Sequence, residues 1–350
     1  MFYGIAMKFM GRDNELKQLI KFETLSSSGA TMIGIIGRRR VGKTTLVKEF
    51  ITRSERNSIY LFVDEKREEL LLAEFTEILK TAFNTTLPGF RDWDTFFSYL
   101  MELEDVNIIF DEFQNFAAVN NSVFSIFQKH YDAHPDAHIL FLLVGSYMGM
   151  MKKILGEARS PLFGRTASIW KIRPFTLKEL TPTLPDKPEE AIPIYLLYGG
   201  IPHYYELMGR FNCTNIKDSL RELLYWDGAP LLYEPQMLLS QEFMGKWRTM
   251  FSILEAISTG KCSHKEISDY TGIPQTNLSK YLEELAEDYE IISKEFPVTE
   301  DHKRTKMGRY RIREHFISFW FRFIYKNRTM VEKGDWQSLS SIVEKEIDSH

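Results

Sequence analysis

Cysteine is scarce: Cys213 and Cys262 are the only two thiols in 350 residues. They stand in no metal-ligand spacing and have no partner motif, which excludes a disulfide framework and a thiolate zinc site and fits a reducing compartment. Long apolar runs are missing as well, so no membrane-spanning helix is expected. Residues 1–10 have no basic start, no extended apolar stretch and no small-residue cleavage site, so no secretory leader is expected either, and the chain reads as cytoplasmic. Charge of one sign is also lacking. The 44 basic and 48 acidic residues leave a net charge of −4, which removes any whole-chain attraction to nucleic acid or membrane and confines basic surface to local patches. There is no internal repeat and no low-complexity tract. What remains is 44% hydrophobic and 14% aromatic, enough for a sizeable core and two or three domains.

Short apolar runs rich in β-branched or aromatic residues occur at 32–36, 59–63, 106–110, 139–144 and 168–172. Between them, residues 46–52, 69–83, 93–103 and 123–131 have helical spacing. Alternating strand and helix implies a five-stranded parallel sheet covered on both faces, a three-layer α/β sandwich. Four prolines (Pro182, Pro185, Pro188, Pro193) crowd residues 181–193 and predict an irregular connector. The expected domains are therefore a sheet domain over 1–175, a helical lid over 176–245, a third module over 246–315 and a closing segment over 316–350.

Gly37-Arg38-Arg39-Arg40-Val41-Gly42-Lys43-Thr44 matches G-x-x-x-x-G-K-[ST] in full, with a strand before it and a helix after it. In that setting backbone N–H groups and a positive helix end converge on phosphate oxygens. The spacing predicts a P-loop nucleoside-triphosphate site over residues 37–45, Thr45 included. Lys43 would meet the β- and γ-phosphates and Thr44 would ligate Mg²⁺. The three loop arginines either touch phosphate or sit in solvent.

Such a loop needs a carboxylate on a nearby strand. Four of the five residues before Asp111 are apolar, as expected of a buried central strand ending at the sheet's carboxyl edge, where ligands bind. Asp111 is the expected Mg²⁺ residue and Glu112 the expected general base for an in-line water. Guanine-reading N-K-x-D is missing, which favours ATP over GTP. Ser146, ending the fourth apolar run, could feel the γ-phosphate. Arg165, just before the fifth, could bring positive charge to it, in cis or across a subunit contact.

Trp247, Phe251 and Leu254 recur at i, i+4 and i+7 and predict an amphipathic helix. Ser263 and Glu266 form a capping box that opens a second helix. After Thr271-Gly272-Ile273-Pro274, a third helix is expected over 275–286, with Leu278, Leu282 and Leu285 inward. That is a helix-turn-helix, and residues 291–292 and 310–313 would add a two-stranded wing. Gln275, Thr276, Asn277, Ser279 and Lys280 suit base edges and phosphates. Residues 302–313 hold six basic residues, Lys306, Arg309 and Arg311 among them, and no acidic one, a cluster able to neutralise DNA phosphates. Glu283, Glu284, Glu287 and Asp288 on and after the third helix favour a protein partner instead. The aromatic stretch 316–325 should pack a helix against another domain.

Phe9-Met10-Gly11-Arg12-Asp13-Asn14-Glu15-Leu16, the loop 37–44, Ile108-Ile109-Phe110-Asp111-Glu112-Phe113-Gln114, Val144-Gly145-Ser146 and Phe163-Gly164-Arg165, in that order, resemble the archaeal-type ATPase family of the STAND group, relatives of origin-recognition initiators within the AAA-like ATPases. The resemblance implies that Gly11, Arg12 and Glu15 lie around the adenine. It likewise implies that Pro202, in Gly199-Gly200-Ile201-Pro202, meets the nucleotide from the lid. It implies a slow ATP-driven switch with room for self-association. In that family a nuclease-like domain often follows, whereas this sequence stops at His350, so that domain is either absent or lies in a longer chain. The other readings open at this point are a P-loop phosphotransferase and a protein that binds ATP without hydrolysing it.

Overall fold

The computed structural model describes residues 9–296 and 308–346. The chain divides into two units, one spanning Phe9–Arg173 and one that begins at Pro174.

In the first unit strands and helices alternate. The strands are β1 (Thr31–Ile36), β2 (Asn57–Phe62), β3 (Val106–Asp111), β4 (Ile139–Gly145) and β5 (Ser168–Lys171). All pairings are parallel, in the order β2-β3-β4-β1-β5. Parallel neighbours need helical crossovers, and these cover both faces. Because side chains alternate along a strand, Ile33 and Ile35 face one layer, against Leu46, Val47 and Phe50 of helix Lys43–Arg53 and Leu16 and Leu19 of helix Asp13–Leu25. Met32 and Ile36 face the other layer, with helices Glu68–Phe83, Trp93–Met101 and Val123–Ala133.

That second layer is packed with rings. Phe97 and Phe127 stack at a centroid distance of 4.8 Å, and Trp93 meets Phe116 edge-on at 5.1 Å; both geometries suit ring quadrupoles. The Asp92 carboxylate accepts from Thr95 N at 2.8 Å and starts helix Trp93–Met101, which fixes the angle at which its aromatic face meets the sheet.

Among the described residues the second unit is helical apart from one ribbon. The proline-rich stretch does not stay irregular: helix Pro188–Tyr198 starts inside it and contains Pro193. Pro188 occupies the first turn, where a missing N–H costs nothing, and burial of Ile194, Leu197 and Tyr198 outweighs the single bond that Pro193 forgoes. Helices Pro202–Arg210, Ile216–Leu223 and Glu234–Phe243 follow. Next come helices Trp247–Ser258, His264–Thr271 and Gln275–Glu283, then an antiparallel ribbon of β6 (Ile292–Glu295) and β7 (Arg309–Ile312). The Ser263–Glu266 capping box is closed in both directions, and Ile267, Leu278, Leu282 and Leu285 are buried. The third helix is shorter than its apolar spacing predicts, since residues Glu284–Asp288 open into a wider turn. The aromatic stretch forms helix His315–Phe319 and a wide turn Trp320–Tyr325. It packs on Tyr198 and Phe251 within the same unit, and the Trp320 indole donates to Leu232 O at 2.7 Å.

Phe97 is fully buried in the ring cluster, so Phe97→Ala should cost about 3–5 kcal/mol of unfolding free energy. The expected result is a lower denaturant midpoint at unchanged slope; a midpoint equal to wild type would show that the ring layer does not hold this unit together.

Candidate nucleotide-binding site

β1 runs straight into Gly37, and helix Lys43–Arg53 leaves the loop at its other end. Gly42 has φ +95°, a left-handed conformation that costs a residue with a Cβ considerably more than glycine. That turn starts the helix at once, so its first N–H groups and dipole face the loop. Lys43 is only 5% exposed. Its ammonium donates to Gly37 O at 2.8 Å and Arg38 O at 2.9 Å, which centres the charge over the loop.

β3 supplies the opposing acid. Asp111 shares a face with Ile109, the face covered by helix Lys43–Arg53, and alternation thus turns its carboxylate toward Thr44. Asp111 Oδ2 accepts from Thr44 Oγ1 at 3.0 Å and from the Tyr60 hydroxyl, while Oδ1 accepts from Glu112 N at 2.9 Å. Burial, then the bond to Asp111, pushes the Tyr60 phenol far above its ordinary range, so it remains a donor throughout the physiological pH range.

Glu112 has φ +54°, which swings its carboxylate toward the neighbouring strand end. Glu112 Oε1 accepts from Ser146 Oγ at 2.8 Å, and Oε2 accepts from Gln114 Nε2 at 2.6 Å and Ser146 N at 3.3 Å. A carboxylate offers about four lone-pair directions, so Oε1 keeps one for a further donor. Strand order explains the meeting, since β4 lies between β1 and β3 and Ser146 therefore emerges between the phosphate loop and the acidic pair. Gly145 must be small here: a Cβ would stand 2.6 Å from Gln114 Oε1 and 2.4 Å from Met151 Cγ.

Around this centre, Arg12 is 5% exposed and acts as a brace. Its guanidinium donates to Arg173 O at 2.6 Å, Val41 O at 3.3 Å and Glu15 Oε1 at 3.3 Å. Val41 is buried beneath the loop, Gly11, Arg40 and Thr45 are exposed, and Arg38 and Arg39 are half-buried. Arg165 is not brought to the loop. It precedes β5 and so stands at the amino edge of the sheet, where its guanidinium grips Asp132 at 2.8 and 2.7 Å and holds that carboxyl below its usual range. This overturns a phosphate role for Arg165 within one chain. In the second unit Pro202 is the first residue of its helix. The turn before it is tight, because a Cβ on Gly200 would fall 1.8 Å from Phe175 O. Gln275, Thr276, Asn277, Ser279, Lys280 and Arg309 are exposed. Arg311 is ion-paired with Glu295 at 2.8 Å, and Lys306 lies outside the described residues.

Tyr60 and Gln114 were not among the sequence-derived candidates. Tyr60 is the one hydroxyl-bearing residue in the apolar run 59–63, and only the β2–β3 pairing places it beside Asp111. Gln114 follows the acidic pair by two residues, and only the 3-10 turn at Phe113–Asn115 bends it back to Glu112.

A glycine-turned loop at the end of one parallel strand, a buried lysine over it and a buried acid hydrogen-bonded to the loop threonine define a P-loop ATPase domain. Residues 9–208 match the model of an ATPase domain predominantly from Archaea. A Methanocaldococcus jannaschii protein, "uncharacterized protein MJECL04", is 34% identical over 337 residues, covering 93% of this chain and 71% of that protein. The chain belongs to this archaeal ATPase family. Among solved structures, the Walker-type ATPase PABY2304 of Pyrococcus abyssi is similar at TM-score 0.65 and 20% identity, covering 91% of this chain and 97% of that one. The Aeropyrum pernix ORC2 protein, solved as ADPNP–ADP complexes, is similar at TM-score 0.58 and 14% identity, over 94% and 96% of the two chains. At these identities the likeness is one of fold. Among the described residues no helix is long and apolar enough to cross a membrane.

Arg12→Ala removes a buried charge-assisted brace from Val41 and Arg173, and should lower stability by about 2–4 kcal/mol. Adding ATP should recover less of the melting temperature than it does for wild type; a variant that melts and responds to ATP like the parent would refute the bracing role.

Proposed function

We propose that this chain binds ATP with Mg²⁺ and hydrolyses it slowly, as a switch whose nucleotide state is read out by the module at 246–315. The observation that carries the reading is the single cluster of Lys43, Thr44, Asp111, Glu112 and Ser146, drawn from three adjacent strand ends.

The donor set fits the ion: Thr44 Oγ1 and a 4%-exposed Asp111 carboxylate are hard oxygens 3.0 Å apart, and such pairs hold Mg²⁺ in company with substrate phosphates. A Mg²⁺ ion held by Thr44 and Asp111 would supply positive charge against the phosphates. The chain's own groups do the rest. Loop N–H groups and Lys43 grip the phosphates. Glu112, held by Ser146 and Gln114, uses its remaining Oε1 direction to take a proton from a water. The oxygen of that water bonds to the γ-phosphorus as the bridging P–O bond breaks, and ADP leaves with the electron pair. Ser146 lies where loss of the γ-phosphate would change the donors around Glu112, a route from nucleotide state to protein conformation.

The order of three helices and a ribbon in the second unit supports a winged helix, with Gln275, Thr276, Asn277 and Lys280 on the exposed start of its third helix. Its partner is duplex DNA or a protein. Pro202 is proposed to approach the nucleotide from the lid, as the family resemblance implies. Placement in the STAND group and a cytoplasmic home belong to the same proposal.

Two variants separate catalysis from binding. Lys43→Ala should weaken ATP binding about 10- to 100-fold. Glu112→Gln should keep ATP affinity and lose about 10²–10⁴ in turnover. Phosphate release by Glu112→Gln equal to a near-zero wild-type rate would favour a chain that binds ATP without hydrolysing it. For DNA, Lys280→Ala with Arg309→Ala should weaken duplex binding and flatten the slope of log affinity against log salt by about 1.8, the worth of two phosphate contacts. Unchanged affinity would leave a protein as the partner.

A further inference from the structure

The second unit contains a groove of about 970 Å³ that the ATPase reading does not use. Its floor is apolar: Leu196 and Leu197 come from helix Pro188–Tyr198, Ile216 and Leu220 from helix Ile216–Leu223, and Val343 from helix Trp336–Glu346. Its rim is cationic, but unevenly so. Lys217 is paired with Glu344 at 3.6 Å and Arg311 with Glu295 at 2.8 Å, so these four side chains sum to zero. Arg313 also lines the groove; it is exposed, and its guanidinium has no hydrogen-bond or ion-pair partner among the described residues. His315 stands beside it, its Nδ1–H donating to Leu196 O at 3.0 Å, which leaves Nε2 as the ring's other polar atom.

Among the described lining residues the remaining charge is therefore one permanent cation, Arg313, at the mouth of an apolar trough, with the His315 ring next to it. Arginine in such a place is suited to a planar or tetrahedral anion. The volume falls in the range of small-molecule sites, which are mostly apolar with a few fixed polar groups. We propose that this groove binds a small organic anion, with an aliphatic or aromatic body lying on Leu196 and Ile216 and one carboxylate or phosphate group meeting Arg313 and His315. Because the ribbon, two lid helices and helix Trp336–Glu346 all contribute wall residues, an occupant fixes those elements against one another. The site is independent of the phosphate loop.

The test uses the full chain and 1-anilinonaphthalene-8-sulfonate, whose fluorescence rises on entering an apolar site, with octanoate, octyl phosphate, octanol and inorganic phosphate as competitors. Saturable probe binding is expected, with octanoate or octyl phosphate displacing it at least tenfold more effectively than octanol or inorganic phosphate. The better of the two names the head group. Arg313→Gln should raise the half-displacing concentration at least tenfold, Arg313→Lys should restore part of it, and the exposed Leu196→Glu should repel the anions. Lys43→Ala should leave probe binding unchanged, which keeps this outcome separate from the ATP site. Four results would overturn the proposal: no saturable binding, octanol as effective as the anions, displacement unaltered in a folded Arg313→Gln chain, or displacement of the probe by duplex DNA.

Discussion

The Asp111 carboxylate is the point on which the ATPase unit turns. One oxygen takes hydrogen bonds from Thr44 at the head of a helix and from Tyr60 on the next strand, while the other takes the backbone N–H of Glu112. A carboxylate this deep is tolerable because both of its oxygens find donors. The same bonds position the loop helix, β2 and Glu112 relative to one another. Sheet order completes the arrangement: with β4 between β1 and β3, the three strand ends that carry the loop, the serine and the acids open side by side at one edge.

Much of this was legible in the residues. The loop motif, the apolar strand ending in Asp-Glu and the alternation of short apolar runs with helical spacing depend on local chemistry, and local chemistry survives folding. The five strands and the parallel sheet follow from that pattern. What was not legible depended on pairing. Tyr60 reads as one more core aromatic until β2 is known to lie beside β3, and Gln114 reads as a polar turn residue until Glu112 takes its left-handed backbone. Arg165 misled for the same reason. Its place just before a strand is clear in the sequence, but a residue there lies at the opposite sheet edge from the loop, and Asp132 binds it. The proline-rich stretch misled because local propensity was weighed without the burial of Ile194 and Leu197 that overrides it.

The two solved structures differ from this chain at four positions in five or more, yet the fold is shared. That tolerance is physically sensible. The side chains gathered at the loop and the acidic strand end are few, and the rest of the sheet asks only for apolar volume on alternating sides. The family match extends from residue 9 to 208, beyond the sheet unit and through the Gly199-Gly200-Ile201-Pro202 turn, where backbone packing against Phe175 leaves no room for a side chain on Gly200.

Arg12 joins three distant parts of the chain through one guanidinium: the first helix, the underside of the phosphate loop at Val41, and Arg173, the last residue of the unit. The polypeptide thus leaves the sheet domain through a residue that shares its hydrogen-bond donor with the loop. Any pull on the chain at that exit is felt at Val41 within two bonds of the same side chain, with no need for a displacement to travel through the sheet.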